Sequence, residues 1–164
     1  MVRDPGARAG ESRMTSSHKV GRIGWETAWW LSSARLASRH QKNYPGKYLI
    51  VCYEQLFSQP KQTMQEICEF IGETFHPQML THGEIEAHAT AQPPPLGKQD
   101  LHFIHSHTQH LMKYFGYEYD NLQLSHLEWL LYGLMFPTNL AALLIGKLST
   151  QLGQRELIRT ELSV

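Results

Sequence analysis

The sequence predicts an α/β layered protein, mostly helical and with few parallel strands. Three stretches carry that expectation. Trp25, Trp29, Leu36 and His40 recur at spacings of four and seven, and Trp30 and Ala37 widen the stripe, so residues 25–41 read as an amphipathic helix. Tyr48-Leu49-Ile50-Val51-Cys52-Tyr53 is an unbroken apolar run with β-branched residues at its centre, the habit of a parallel strand covered on both faces. A second helical pattern follows from Pro60. Helix, buried strand and helix in succession fit a layered architecture in which helices cover a sheet.

The elements follow in order. The first 24 residues hold Gly6, Gly10, Gly21 and Gly24 among Arg3, Arg8, Arg13, Lys19 and Arg22, and read as a basic, glycine-punctuated lead-in rather than a core element. After the first helix, Tyr44-Pro45-Gly46 makes a turn into the strand. Pro60 suits the first turn of the next helix, where a missing N–H costs nothing. Met64, Ile67, Cys68 and Ile71 give that helix its buried stripe, and Gly72 stops it.

The stretch 75–98 is loop-rich, with Pro93-Pro94-Pro95 barring helix and strand alike. Leu101, Ile104, Thr108, Leu111, Met112 and Phe115 then form a helical stripe ended by Gly116. An apolar block runs from Leu127 to Leu148, interrupted at Pro137-Thr138-Asn139. Two shorter helices flanking Pro137 are expected there. Two units result: 1–120, and a helical apolar extension over 121–164. One strand and the Met1-Val2 stub of another make a thin sheet for an α/β protein.

Composition excludes several classes of function. Lys+Arg 15 against Asp+Glu 15 leaves no net charge, which argues against broad nucleic-acid binding. A hydrophobic content of 41% is too high for a disordered chain. Two cysteines, Cys52 and Cys68, make no disulfide framework, and both sit in apolar segments as inert thiols. The N-terminal residues show no apolar signal-peptide core, so a cytoplasmic setting is expected.

The chemistry concentrates in two segments. In Val2-Arg3-Asp4-Pro5, followed by Ser12, an arginine leaving a strand and a serine opening a helix can grip one phosphate together. The arginine offers a planar fork, and the hydroxyl and helix N–H groups supply the rest. The plainer alternative is an exposed arginine and a helix-capping serine. The second segment reads Tyr44-Pro45-Gly46-Lys47-Tyr48-Leu49-Ile50-Val51-Cys52-Tyr53-Glu54-Gln55-Leu56, then Pro60, then Ile67-Cys68-Glu69-Phe70-Ile71-Gly72 and Phe75-His76-Pro77-Gln78-Met79-Leu80. With the upstream segment, and with Met112-Lys113-Tyr114-Phe115-Gly116-Tyr117, it resembles the sulfotransferase family over roughly Val2–Tyr119.

That resemblance implies a fold related to the P-loop kinases. It also implies transfer of a sulfuryl group from 3′-phosphoadenosine 5′-phosphosulfate (PAPS) to a hydroxyl or amine of a small-molecule or carbohydrate acceptor. It assigns the cofactor's 3′-phosphate to Arg3 and Ser12, and brings Tyr53 near the adenine. No metal is implied. The chain departs from the family pattern in three ways. Arg3 to Ser12 is one residue longer than usual, so the Gly6–Gly10 stretch is expected to bulge. Cys52 and Gln55 stand where members often have arginine and aspartate. The 5′-phosphosulfate loop, catalytic lysine and base of the family lie upstream of the "VRDP" element, which begins here at residue 2. The chain is therefore read as a C-terminal portion, with no catalytic residue assigned. Gly6-Ala7-Arg8-Ala9-Gly10-Glu11-Ser12 is not a substitute loop, since it lacks the lysine and is one residue short.

Other features have less to say. His102 and His105 share one side of a helix while His107 and His110 lie roughly opposite, so four ligands cannot converge, and a solvated polar face is the expectation. His82 and His88 have no clear partner. Trp25, Trp29 and Trp30 read as core rather than as a stacking platform. Lys98 follows the polyproline loop, where members place a basic loop, but the alignment there is too loose to assign it. Residues 129–146 carry no charge, and the interrupted pattern favours a packed or peripheral helix over a transmembrane span, with contact to a membrane surface through 127–148. A non-catalytic helical module that docks on a membrane or partner through this block is the alternative to the enzyme.

Overall fold

The computed structural model describes residues 1–15, 20–80, 96–119 and 122–161, with 13–15 and 153–161 as backbone alone. Among the described residues six α-helices follow one another: α1 (Pro5–Thr15), α2 (Arg22–Asn43), α3 (Gln55–Ser58), α4 (Pro60–Ile71), α5 (Lys98–Tyr114) and α6 (His126–Glu161). A 3-10 turn lies at Pro77–Leu80. The polyproline run and His82 and His88 fall outside the described residues.

Among the described residues one parallel bridge, Val2 to Cys52, takes the place of a longer ladder. Val2 donates its N–H to the Val51 carbonyl at 2.8 Å, and Tyr53 donates to the Val2 carbonyl at 2.7 Å. The strand expected over Tyr48–Tyr53 is thus reduced to one paired position. Its partner leaves extended geometry almost at once, because Asp4 already caps α1. Nor is the run covered on both faces: Tyr48 is exposed and Leu49 to Tyr53 are half-buried.

The basic lead-in is a correction to the sequence reading. Asp4 accepts the Ala7 N–H on Oδ1 at 2.8 Å, and Pro5 occupies the first helical position, so a helix begins there despite Gly6 and Gly10. Ala9 and Val2 are buried in the core. The expected bulge over Gly6–Gly10 is absent, because α1 is continuous through it.

Helix α2 is the centre of the molecule. Ala28, Trp30, Leu31 and Ala34 are buried, and Ile23 extends that face to the N-terminus of the helix. Helix α5 adds Phe103, Ile104, Thr108 and Met112. Trp25 and Trp29 are half-buried against each other, with ring centroids 6.1 Å apart. The turn after α2 closes as expected, with Lys47 donating to the Tyr44 carbonyl at 3.1 Å.

Helix α6 runs unbroken past Pro137, where two helices were expected. Proline removes the bond to the Gly133 carbonyl, a loss of about 3 kcal/mol in a helix interior. Contacts on both sides of it hold the axis: Tyr132 and Phe136 pack on the core before it, and Ala142 and Leu143 are buried after it. The N-terminus is closed by a capping box. Ser125 donates its N–H and hydroxyl to the Glu128 carboxylate at 2.7 and 2.8 Å, which holds that carboxyl below its ordinary range.

The crossing of α2 and α6 is unusually close. A Cβ on Gly24 would lie 1.9 Å from the Asn139 carbonyl oxygen, and one on Gly146 would lie 2.7 Å from the Ala28 Cβ. Asn139 is itself buried, and its Oδ1 accepts the Gly24 N–H at 3.3 Å.

Helix α4 starts at Pro60 and ends at Gly72, with the Glu73 N–H on the Cys68 carbonyl at 2.8 Å. Its expected buried stripe is only partly covered, with Met64 and Ile67 half-buried. Cys68 is buried, but Ile71 is 61% exposed, because α4 rests on α3 and the 3-10 turn rather than on the main core.

Candidate functional site

The backbone around Arg3 is held from three sides. The bridge fixes Val2. The Trp30 indole donates to the Arg3 carbonyl at 2.7 Å. The Asp4 N–H donates to Glu54 Oε1 at 2.9 Å, and the other Glu54 oxygen accepts from the Tyr117 hydroxyl at 2.6 Å. That hydroxyl also lies 3.1 Å from the Val2 carbonyl. Burial and the Glu54 carboxylate push the Tyr117 phenol far above its ordinary value, so it remains a donor at any working pH. Asp4 is raised mainly by burial, with the Glu54 charge adding to it against the lowering bond from Ala7.

On this frame the Arg3 guanidinium sits 4.2 Å above the centre of the Tyr53 ring, a cation–π contact. Tyr53 in turn packs on Phe57, with ring centroids 4.8 Å apart. Both terminal nitrogens of Arg3 are bound to the Glu11 carboxylate, at 2.5 and 2.6 Å, in the two-pronged geometry that also suits a phosphate. Its Nε is buried and has no hydrogen-bond partner among the described residues. Beside it opens a cleft of about 300 Å³ lined by Arg3, Arg8, Trp30, Ser33, Tyr48 and Ile50.

Of the three residues assigned from the sequence, the structure brings Arg3 and Tyr53 together and leaves Ser12 apart. Ser12 lies in the third turn of α1 rather than opening a helix. Its hydroxyl donates to the Ala9 carbonyl at 3.1 Å and accepts from Arg22 at 3.4 Å. Because α1 is regular, the residue one position earlier, Glu11, is the one that faces Arg3. Sequence reasoning passed over Glu11, Glu54 and Tyr117. Glu54 stands inside the "YE" pair of the strand motif and was the most findable of the three.

The remaining candidates disperse. His102 packs edge-on against Trp129 and Tyr132, and His107 Nδ1 lies 2.8 Å from the Phe103 carbonyl. Among the described residues no three His, Cys, Asp or Glu side chains converge to hold a metal ion. Cys52 is half-buried, and burial pushes its thiol up, away from reactivity. Lys98 is exposed at the start of α5.

Comparison with known proteins gives one match. Residues 1–77 match the model of the sulfotransferase family, a stretch that contains the bridge, Arg3, Glu11, Tyr53 and Glu54. The later part of the resemblance, up to Tyr119, lies outside that match. No curated protein and no solved structure matches the chain.

Proposed function

We propose, from the match of residues 1–77 to the sulfotransferase family model, that the Arg3 cleft is the 3′-phosphate side of a PAPS site. The single observation that carries the reading is the presentation of Arg3: pinned backbone, ring-supported guanidinium, and a fork already engaged by a carboxylate. A 3′-phosphate takes the place of the Glu11 carboxylate on the two terminal nitrogens, and Arg8 adds charge from the rim of the cleft. Tyr53 holds the guanidinium plane and offers its edge to the nucleoside. PAPS supplies the sulfuryl group, which passes by in-line displacement to a hydroxyl or amine of a small-molecule or carbohydrate acceptor. In this reading the described residues bind and orient, and no catalytic role is assigned among them. The α/β relationship to P-loop kinases belongs to the same proposal, with the Val2–Cys52 bridge as its support.

Glu11 distinguishes this reading from a purely structural arginine. Calorimetric titration with adenosine 3′,5′-bisphosphate is expected to show weak binding by the chain. Arg3→Ala should lose at least tenfold, since charge-assisted bonds contribute about 1.5–3 kcal/mol. Glu11→Ser, which removes the competing anion and restores a hydroxyl at the family spacing, should gain several-fold. Binding unchanged by Arg3→Ala, or no binding by either the chain or Glu11→Ser, would remove the proposal.

A further inference from the structure

A second cleft lies on the opposite face of α2, where it meets the C-terminal half of α6. It has a volume of about 170 Å³ and is lined by Ser32, Arg35, Arg39, Lys147, Thr150 and Gln151, among others. Arg35 and Arg39 are one helical turn apart, and Lys147 faces them from α6. Among the described residues no carboxylate lines the cleft. Among the described residues none of the three cations forms an ion pair. Burial and the neighbouring Arg35 charge hold the Lys147 amine below its ordinary value, the condition that an arriving anion relieves.

Next to the cleft, α6 exposes a row of large apolar side chains. Leu127, Leu130, Leu134, Ile145, Leu148 and Leu152 are all more than half exposed. By the 100° step of a helix they fall within about 60° of one another, so they form one stripe. At about 1.5 Å per residue the stripe is about 40 Å long. Lys147 and Gln151 lie on its flank, between the stripe and α2. Trp129, half exposed, stands near its other end.

We propose that this face is a docking surface for an anionic bilayer, with a lipid phosphate held in the Arg35–Arg39–Lys147 cleft and the leucine stripe laid among the acyl chains. The charge pattern selects that occupant. One surface must offer an oxyanion and a continuous apolar plane side by side, and a leaflet of anionic phospholipid offers both. The segment His126–Leu152 is long and apolar enough to cross a membrane. Crossing would draw the attached α2, with Glu26, Arg35 and Arg39, into hydrocarbon, so α6 lies in the plane of the interface instead. This inference is independent of the Arg3 site.

The test is co-sedimentation of the 164-residue chain with phosphatidylcholine vesicles, with and without phosphatidylglycerol, at low and high salt. Each cation near an anionic surface contributes about fivefold in affinity, so the anionic vesicles are expected to bind about 100-fold more tightly at low salt. The triple variant R35Q/R39Q/K147Q should fall to the phosphatidylcholine level. L134E/L148E should lose binding to both vesicles. Circular dichroism melts confirm that each variant folds, and the salt series needs no variant at all. Equal binding to both vesicles overturns the headgroup site. Inorganic phosphate binding lost in the triple variant, without vesicle binding, would assign the cleft to a free anion and overturn the lipid. A stripe-dependent dimer in light scattering, without vesicle binding, would assign the face to a second copy and overturn it likewise. Resistance to alkaline carbonate extraction would overturn the in-plane placement.

Discussion

Asp4 is asked to do two things that oppose each other. Its Oδ1 caps α1, and its burial beside Glu54 makes its negative charge costly. The folded state therefore holds the Asp4 proton more tightly than the unfolded chain does. Relative to a neutral side chain, its contribution is fully present below about pH 3.8 and is lost as pH rises through the raised folded value. Asp4→Asn keeps the acceptor and removes the charge, so at pH 7 it is expected to match or exceed the parent in urea unfolding. Asp4→Ala loses the cap and should cost about 1 kcal/mol. Moving to pH 4 should shift the comparison toward the parent and against Asp4→Asn; identical behaviour of the two variants at pH 7 would contradict this account. Tyr117→Phe strips the Glu54 carboxylate of a donor inside the frame and is expected to cost about 1–3 kcal/mol. The pairing of Arg3 with Tyr53 was legible because both stand in short motifs. Glu11 was not, because its approach to Arg3 depends on a helix turning back over eight residues, and Ser12 was preferred because the family resemblance calls for a serine there.

At the scale of elements, punctuation decided what the sequence could tell. Pro60 and Gly72 bracket α4 because their backbone requirements are local. The tryptophan stripe marked the existence of α2 but not its buried face: Trp25, Trp29, Leu36 and His40 are half-buried, and Ile23, Thr27, Trp30, Leu31 and Ala34 form the core side. Helix α1 was hidden by Gly6 and Gly10, which are poor helix formers; the Asp4 cap and the burial of Ala9 override them. The break expected at Pro137 failed for a parallel reason, since packing on both sides offsets the lost bond. Pro137 is exposed, so Pro137→Ala should restore the bond to the Gly133 carbonyl without a clash. The expected result is a gain of about 1–3 kcal/mol and a higher melting temperature. A melting temperature that falls would show that the proline shapes the α6 axis rather than merely weakening it. The strand was legible as extended chain but not as an isolated bridge, because pairing depends on how soon the partner turns into α1.

The molecule as a whole is unevenly held. Helices α2, α5 and α6 share one buried cluster that includes Trp30, Leu31, Phe103, Ile104, Met112 and Leu143, whereas α4 contributes no described residue to it and packs mainly on α3 and the 3-10 turn. Amide hydrogen exchange should therefore be slowest in the middle of α2 and in the Asn139–Gly146 part of α6, and faster by orders of magnitude in α4. Uniform protection across all helices would rule out this division. The division also crosses the family boundary. Gly24 belongs to the 1–77 segment, while the Asn139 carbonyl that leaves it no room for even a methyl group lies far outside it. The two stretches are thus a heritable pair: a chimera that keeps residues 1–77 and receives a foreign C-terminal helix inherits a notch with nothing shaped to fill it. The end of the family segment is not a joint at which this chain can be cut and rejoined.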